Sequence, residues 1–128
     1  MYDVLFYFDV KGKSTLLNYL DDLTVESLTN KDCRIKLQKI LSYINYLKES
    51  GLSLRGNRIK HITGNIWELR PLKIRILFFY WKENKFVLLH HFIKDSGKTP
   101  LRQIRQAQSE MNDYLRRRPF DEKSRNDL

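Results

Sequence analysis

The sequence lacks several features that would place it in a familiar class of protein. Its 128 residues include a single cysteine, Cys33, so no internal disulfide can form and no cysteine-based zinc spacing exists. No apolar run approaches the ~20 residues that a membrane-spanning helix needs. The first residues also lack the basic region of a signal peptide. These absences predict a protein of a reducing compartment, the cytoplasm, with no membrane association.

Motifs of several enzyme and metal-binding classes are also missing. The chain has no GxxxxGK[ST], GxSxG or DxDxG pattern, which argues against an NTPase, an esterase and an EF-hand protein. His90 and His91 are adjacent, but successive strand residues point to opposite faces, so the two cannot bind one ion together. His61 is remote from both in sequence. We therefore expect no metal and no cofactor, with one of the adjacent histidines in the core and the other on the surface.

Acidic residues are scarce in the second half of the chain. Residues 1–50 hold seven lysines and arginines and seven acidic residues, whereas residues 51–128 hold 17 and eight. The net charge of +9 therefore comes entirely from residues 51–128. A basic half beside a neutral half predicts a surface that faces a polyanion such as a nucleic acid. The alternative is a basic, solvated face that only aids solubility.

The apolar periodicity of the sequence, together with its runs of β-branched and aromatic residues, predicts four strands and three helices. In chain order these are a strand over 2–8, helices over 15–28 and 31–50, strands over 65–70, 73–81 and 85–94, and a helix from Thr99 and Pro100 to about residue 117. Ser14 and Thr99 are the expected N-caps of the first and third helices. Gly51 is the expected end of the second.

These elements predict an α+β fold with one domain over residues 1–118. We expect a small antiparallel sheet with the N-terminal helical hairpin packed on one face, and a C-terminal helix after the last strand. Residues 119–128 are expected to form a tail that is flexible or depends on a partner.

A basic segment lies between the second helix and the sheet. Over residues 54–75 its only acidic residue is Glu68, and its cations are Arg55, Arg58, Lys60, Arg70, Lys73 and Arg75. Guanidinium groups bind phosphate through two parallel hydrogen bonds and stay charged where water is excluded. Arg75 joins Glu68 and Arg70 on one face only if the turn between the strands has an even number of residues, such as 71–74. The structural alternative is one buried arginine that pairs with Glu68.

Three stretches, in order, resemble a known family. They read IWELR, RILFFYWKENKFVLLHHFIK and KTPLRQIRQA, and they resemble the RelE/ParE superfamily of toxins, in particular its HigB-like, phage-derived branch. The resemblance covers roughly residues 55–117. Two departures stand out: the family's HGF is HHF at 90–92, and its KKT is KDS at 94–96, which replaces a basic residue with Asp95.

The resemblance implies the toxin of a type II toxin–antitoxin system, a metal-independent endoribonuclease that cuts mRNA on the ribosome and so inhibits translation. Its implied partner is a HigA-like antitoxin with a helix-turn-helix domain, and operator DNA would be contacted only through the antitoxin complex. Two alternatives stay open. One is a ParE-type inhibitor of gyrase with the same fold, and the other is a non-catalytic nucleic-acid-binding module.

Cleavage of RNA needs no external nucleophile, because the 2′-hydroxyl attacks the phosphate. Arg70 and Arg75 are expected to stabilise the charge of the phosphorane, and Glu68 or His91 to accept the 2′-proton. The lysines of the last strand end, Lys94 and Lys98, are expected to bind flanking phosphates or to act as acid. The residues expected to bind mRNA or ribosomal RNA are Arg55, Arg58, Lys60, His61 and Lys73.

Overall fold

The computed structural model describes residues 1–53, 56–95 and 97–126, with side chains as far as Arg117 in the last helix. Its elements are β1 (Asp3–Phe6), α1 (Thr15–Glu26), α2 (Lys31–Ser50), a 3-10 turn (Gly51–Ser53), β2 (Ile59–Thr63), β3 (Ile66–Leu69), β4 (Ile74–Trp81), β5 (Lys85–Ile93) and α3 (Leu101–Asn126). All the predicted elements are present. Strand β2 was not predicted, because its sequence IKHIT contains only a short stretch of alternating residues inside the basic segment.

The five strands form one sheet in the order β1-β5-β4-β3-β2. Strands β3, β4 and β5 are antiparallel neighbours, as predicted, and β2 pairs antiparallel with β3. Strand β1, however, runs parallel to β5, with Asp3 opposite Lys85. The α+β class is confirmed, and the prediction of a wholly antiparallel sheet is wrong at this edge. Local pattern shows that β1 is a strand but not which strand it pairs with, because that depends on where the chain returns after two helices.

Helices cover both faces of the sheet. Helices α1 and α2 pack on one face, as predicted, over a core that includes Leu16, Leu20, Ile40, Leu47, Ile76, Phe78, Phe86 and Leu88. Helix α3 packs on the other face, over a core that includes Ile66, Leu77, Phe79, Val87, Leu89, Ala107 and Tyr114. The central strand β4 is buried on both sides, which accounts for its almost uninterrupted apolar sequence.

A bulge in β5 changes which side chains face α3. Leu77 pairs with His90, but the next residue of β4, Phe78, pairs with Leu88, so Leu89 is the extra residue. Leu89 and His90 consequently both face α3. His91 then points to the α1 side, where its ring stacks on Tyr19. The expectation that the adjacent histidines face opposite sides is confirmed, but His91 is half-buried and not on the surface.

Polar contacts attach the part of α3 around Asp113 and Arg117 to the residues that follow β1. The Tyr7 hydroxyl donates to an Asp113 carboxylate oxygen at 2.7 Å, and Arg117 donates to the Phe8 carbonyl at 2.7 Å. The hydrogen bond from Arg117 is the main cause that lowers the pKa of Asp113 to about 2. Burial, then the bond to Asp113, raises the pKa of Tyr7 to about 12. The C-terminal half of α3 is thereby joined to the end of β1.

Helix α3 is longer than the sequence indicated. It continues to Asn126, past the predicted end at about residue 117. The dependence of residues 119–128 on a partner stays a prediction. Of the helices that the structure describes, none combines the length and the apolar character needed to cross a membrane.

The predicted helix boundaries of α1 and α2 depend on two residues. The Ser14 hydroxyl accepts a hydrogen bond from the backbone N–H three residues later at 3.2 Å, which confirms it as the N-cap. Gly51 ends α2 with φ of +59°, a conformation that favours glycine. A Cβ added there would lie 2.6 Å from Cζ of Tyr2, whose ring packs on Phe86. Glycine is therefore favoured at position 51 by its backbone angle, and a larger residue would also have to displace the Tyr2 ring.

We predict that Gly51→Ala lowers the free energy of unfolding by about 2–4 kcal/mol, because it adds a steric clash to the cost of a left-handed alanine. The matched control is Gly12→Ala, where φ is +78° and a Cβ meets no atom within 4 Å. Gly12→Ala should lower the free energy of unfolding only through its unfavourable backbone angle, by about 1–2 kcal/mol. Denaturant unfolding of the three proteins measures the difference, and equal losses would contradict the role of Tyr2.

Candidate active-site cleft

A small cleft opens on the α3 face of the sheet, where β3 ends and β4 begins. We call it the Glu68 cleft, and its described lining is Lys60, Glu68, Arg70, Arg75, Phe92, Lys94, Gly97 and Thr99. Four of these side chains are cationic and one is acidic, so the described lining has a net charge of +3. A concave site with that charge suits a phosphate group.

The carboxylate of Glu68 lies at the centre of the cleft and is almost inaccessible to solvent. Its Oε1 is 3.6 Å from Nε of Arg70 and 3.7 Å from Nε of Arg75. Its Oε2 accepts a hydrogen bond from the Thr99 hydroxyl at 2.7 Å. One buried carboxylate therefore holds two guanidinium groups and the start of the C-terminal helix together.

The strand register explains why these side chains meet. Glu68 is the cross-strand partner of Leu77, and such partners point to the same face. Arg75 lies two residues before Leu77 and so shares that face. The last pair of this register is Leu69 with Ile76, and continuing it by one residue places Arg70 opposite Arg75 across the four residues 71–74. The even-numbered turn is thus the one that forms, and both arginines pair with Glu68.

The two arginines differ in how firmly they are held. Nη1 of Arg75 donates to the carbonyl oxygens of Leu72 at 2.8 Å and Ile74 at 3.0 Å. Burial, then the neighbouring charge of Arg70, lowers the pKa of Arg75, while Glu68 opposes this shift. The side chain of Arg70 is 21% exposed against 9% for Arg75, and within the described chain the buried Nε of each arginine has no hydrogen-bond partner. Arg75 is therefore fixed in place by two backbone carbonyls, and Arg70 is the more accessible of the two to a ligand.

Thr99 has a different role from the one predicted. The sequence indicated an N-cap, but its hydroxyl donates to Glu68, and α3 begins at Leu101 with its first turn bonded to the Pro100 carbonyl. The residue was correctly placed at the helix start, and its contact with Glu68 was missed. Only the packing of α3 on this face brings the two residues together, because 31 positions separate them in sequence.

The lysines lie on different sides of the cleft. Lys60 is the cross-strand partner of Glu68 on β2, and Lys94 follows the end of β5; both line the cleft. Lys98 is exposed in the loop before α3 and is not part of the described lining. The structure thus brings four of the six predicted catalytic residues together, namely Glu68, Arg70, Arg75 and Lys94.

Comparison with known proteins identifies the family. A family model described as "Phage derived protein Gp49-like (DUF891)" matches residues 27–112, about two thirds of the chain. The chain belongs to the Gp49-like family. The match runs from the start of α2 into α3 and includes every described residue of the Glu68 cleft. Among curated proteins, none matches this chain.

Two similar solved structures are both YoeB-YefM complexes from Staphylococcus aureus, one of them described as a heterotetrameric toxin-antitoxin complex. The first is 11% identical with a TM-score of 0.45, and the second is 10% identical with a TM-score of 0.46. Each alignment covers 76% of the Gp49-like chain and 99% of the other chain. Similarity at this level carries no information about activity.

The histidines of the Gp49-like chain lie away from the cleft. His91, a candidate base by sequence, is on the opposite face of the sheet, where burial lowers its pKa. His90 is on the α3 face but is buried, with Nδ1 2.6 Å from a carboxylate oxygen of Glu110 and Nε2 2.9 Å from the side-chain oxygen of Gln103. Its contacts attach β5 to α3. The structure therefore does not bring His91 to the site.

The residues predicted to bind RNA are dispersed. Lys60 lines the cleft, whereas the Arg58 guanidinium lies 4.5 Å from the ring centre of Tyr46 on α2. Nε2 of His61 donates a hydrogen bond to the Gly64 carbonyl at 2.8 Å, and His61 does not line the cleft. Lys73 is exposed in the β3–β4 turn. Arg55 lies outside the described residues.

Metal-ligating residues are not clustered in the described part of the Gp49-like chain. Over residues 1–53, 56–95 and 97–126, no group of three or more histidine, cysteine, aspartate or glutamate residues is arranged to hold an ion. The polar groups that converge in the cleft are mainly cations, which themselves bind anions.

We predict that Glu68→Gln lowers the free energy of unfolding by about 3 kcal/mol, because two neighbouring guanidinium groups lose their shared counter-charge. The control is Glu83→Gln, which removes a carboxylate from an exposed pair with Lys85. That change should stay within about 0.5 kcal/mol of the wild type. Chemical denaturation of both variants measures the contrast. Equal stabilities would show that Glu68 does not hold the arginines together.

Proposed function

We propose that this protein is the toxin of a type II toxin–antitoxin system and that it cleaves mRNA on the ribosome. The observation that carries the proposal is the Glu68 cleft, where two arginines converge on one buried carboxylate between two lysines. Membership of the Gp49-like family and the resemblance of residues 55–117 to RelE-type toxins support the same function. The protein would act in the cytoplasm, where its target is.

The cleft has the groups that RNA cleavage requires. Attack of the 2′-hydroxyl on the adjacent phosphate creates negative charge on the non-bridging oxygens, and preorganised cations stabilise it. Arg70 is the residue that we assign to these oxygens, because its side chain is the more exposed of the two arginines and a guanidinium group can contact two oxygens at once. Arg75 lies beside it, fixed by two backbone carbonyls, and adds a second positive charge.

The remaining groups of the cleft can bind the chain and move protons. Glu68 is the only carboxylate in the described lining and is thus the candidate to accept the 2′-proton, reached between the two guanidinium groups. Lys60 and Lys94 would bind the flanking phosphates or protonate the 5′-oxygen. Lys98, in the nearby loop, would contact a phosphate further along the strand. This chemistry needs no metal, because the RNA supplies the nucleophile and the arginines supply the charge.

The partners follow from the same proposal. The ribosome would present the mRNA to the cleft, and a HigA-like antitoxin with a helix-turn-helix domain would neutralise the toxin. Operator DNA would be contacted through the antitoxin complex alone. Two other functions share this fold and charge: a gyrase inhibitor of the ParE type and a nucleic-acid-binding module without chemistry.

We predict that expression of this protein alone stops growth through loss of translation. Pulse-labelling after induction should show that methionine incorporation falls before thymidine incorporation does. Loss of DNA synthesis first, with protein synthesis continuing, would support gyrase inhibition. Growth that continues, with RNA bound but uncut, would support a binding module.

We predict that Arg70→Ala lowers the cleavage rate by on the order of a hundredfold or more, because it removes stabilisation that appears only in the transition state. Arg70→Lys should restore little, since an ammonium group cannot reproduce the two parallel hydrogen bonds. Ribosome-bound mRNA cleavage by purified protein is the measurement. Thermal unfolding of the same variants checks that the fold survives.

The control is Arg34→Ala, which removes an exposed arginine at the start of α2, away from the cleft. It should cleave at the wild-type rate. An Arg70→Ala protein that is destabilised but still cleaves at the wild-type rate would show that Arg70 only pairs with Glu68. The catalytic assignment would then pass to Arg75 and the lysines.

A further inference from the structure

A second, more open depression adjoins the Glu68 cleft on the side of α2. We call it the Tyr43 groove; it is lined by Lys39, Tyr43, Asn57, Arg70, Leu72 and Arg75. Arg70 and Arg75 line both the groove and the cleft. A ligand that occupies the cleft can therefore continue into the groove past the two arginines.

The composition of the Tyr43 groove differs from that of an ordinary surface depression. Its described lining has three cations and no carboxylate, with one aromatic ring among them. The ammonium nitrogen of Lys39 lies 5.8 Å from the centre of the Tyr43 ring. Aromatic rings interleaved with cations are the feature by which proteins bind single-stranded nucleic acid: bases stack on the rings, and phosphates contact the cations.

The ring of Tyr43 is held at a defined position. It is half-buried and packs against the core beneath α1 and α2, while it also lines the groove. The next tyrosine along the helix, Tyr46, is 6.5 Å away between ring centres and is covered by Arg58 at 4.5 Å. Of the two rings, Tyr43 is the one that lines the groove beside the two arginines, and the cation over it, Lys39, is further from its ring centre, at 5.8 Å.

We infer that the Tyr43 groove binds the nucleotide next to the scissile phosphate, with its base stacked on Tyr43 and its phosphate bound by Lys39. The inference rests on the proposed function and adds to it a binding subsite on α2. The occupant is single-stranded RNA, because only an unpaired base exposes a face for stacking. An acidic peptide would match the charge but has no base that could stack on the ring.

Binding of a short RNA that cannot be cleaved tests the inference without relying on catalysis. The probe is a fluorescein-labelled, fully 2′-O-methylated RNA octamer, and its affinity for the purified full-length protein is measured by fluorescence anisotropy at low salt. Tyr43→Ala should weaken binding by about tenfold, since stacking is lost. Tyr43→Leu keeps apolar packing beneath the helix and should weaken binding equally. Tyr43→Phe keeps the ring and should bind within about twofold of the wild type.

The role of Lys39 is tested by the salt dependence of the same binding. In Lys39→Ala, the loss of one phosphate contact should reduce the slope of log affinity against log salt concentration by about 0.7. The matched control is Lys48→Ala, another exposed lysine of α2, nine residues later and so about half a turn away around the helix. Its slope and affinity should equal those of the wild type.

The outcomes separate this inference from the proposed function. Wild-type affinity in Tyr43→Ala and Tyr43→Leu overturns the inference even if the wild-type protein cleaves mRNA. Failure of the wild-type protein to bind the octamer also overturns the inference. Loss of binding in those two variants supports the groove even if no cleavage is found, and in that case the nuclease proposal alone fails. A polyglutamate peptide of equal charge that binds as tightly, with the same loss in Tyr43→Ala, would overturn RNA as the occupant.

Discussion

The carboxylate of Glu68 is the group on which the arrangement of the site depends. Two guanidinium groups repel each other at short range, and they converge here because one buried negative charge lies between them. The other oxygen of the same carboxylate accepts the Thr99 hydroxyl, so the residues before α3 are attached to the same point. A single buried charge thus couples the turn between β3 and β4 to the position of the C-terminal helix. The positive charge of the cleft is concentrated at that junction.

Helix α3 is attached to the sheet by polar contacts at several places along its length. Thr99 contacts Glu68 just before the helix starts, Glu110 contacts His90 near its middle, and Asp113 accepts from Tyr7 further on. Directional contacts of this kind restrict how a helix can slide or rotate on an apolar surface. The geometry of the Glu68 cleft therefore depends on the whole docking of α3. A change near Tyr7 could alter the site without touching it.

The turn between β3 and β4 combines an unfavourable backbone conformation with the two arginines of the Glu68 cleft. Leu72 has φ of +57°, which is unfavourable for a side chain with a Cβ, and its carbonyl accepts from Arg75. The interaction that fixes the arginine thus also holds the unfavourable backbone. Arg70 and Arg75 separate the Glu68 cleft from the Tyr43 groove, so one short turn presents charge to both. Strained backbone held by its surroundings is common at functional sites.

The sequence by itself determined every element except β2, and most of their ends, because hydrophobic periodicity, Ser14 and Gly51 act locally. It also identified three of the four cations that line the cleft, Lys60, Arg70 and Arg75, since the basic residues between 54 and 75 are visible as a charge imbalance. The tertiary structure alone decided the parity of the β3–β4 turn, the side of the sheet that α3 covers and the parallel pairing of β1. It also decided that His91 faces away from the Glu68 cleft, because a bulge at Leu89 shifts the alternation of side chains along β5. Each of these depends on register and packing between distant segments, which no local pattern contains.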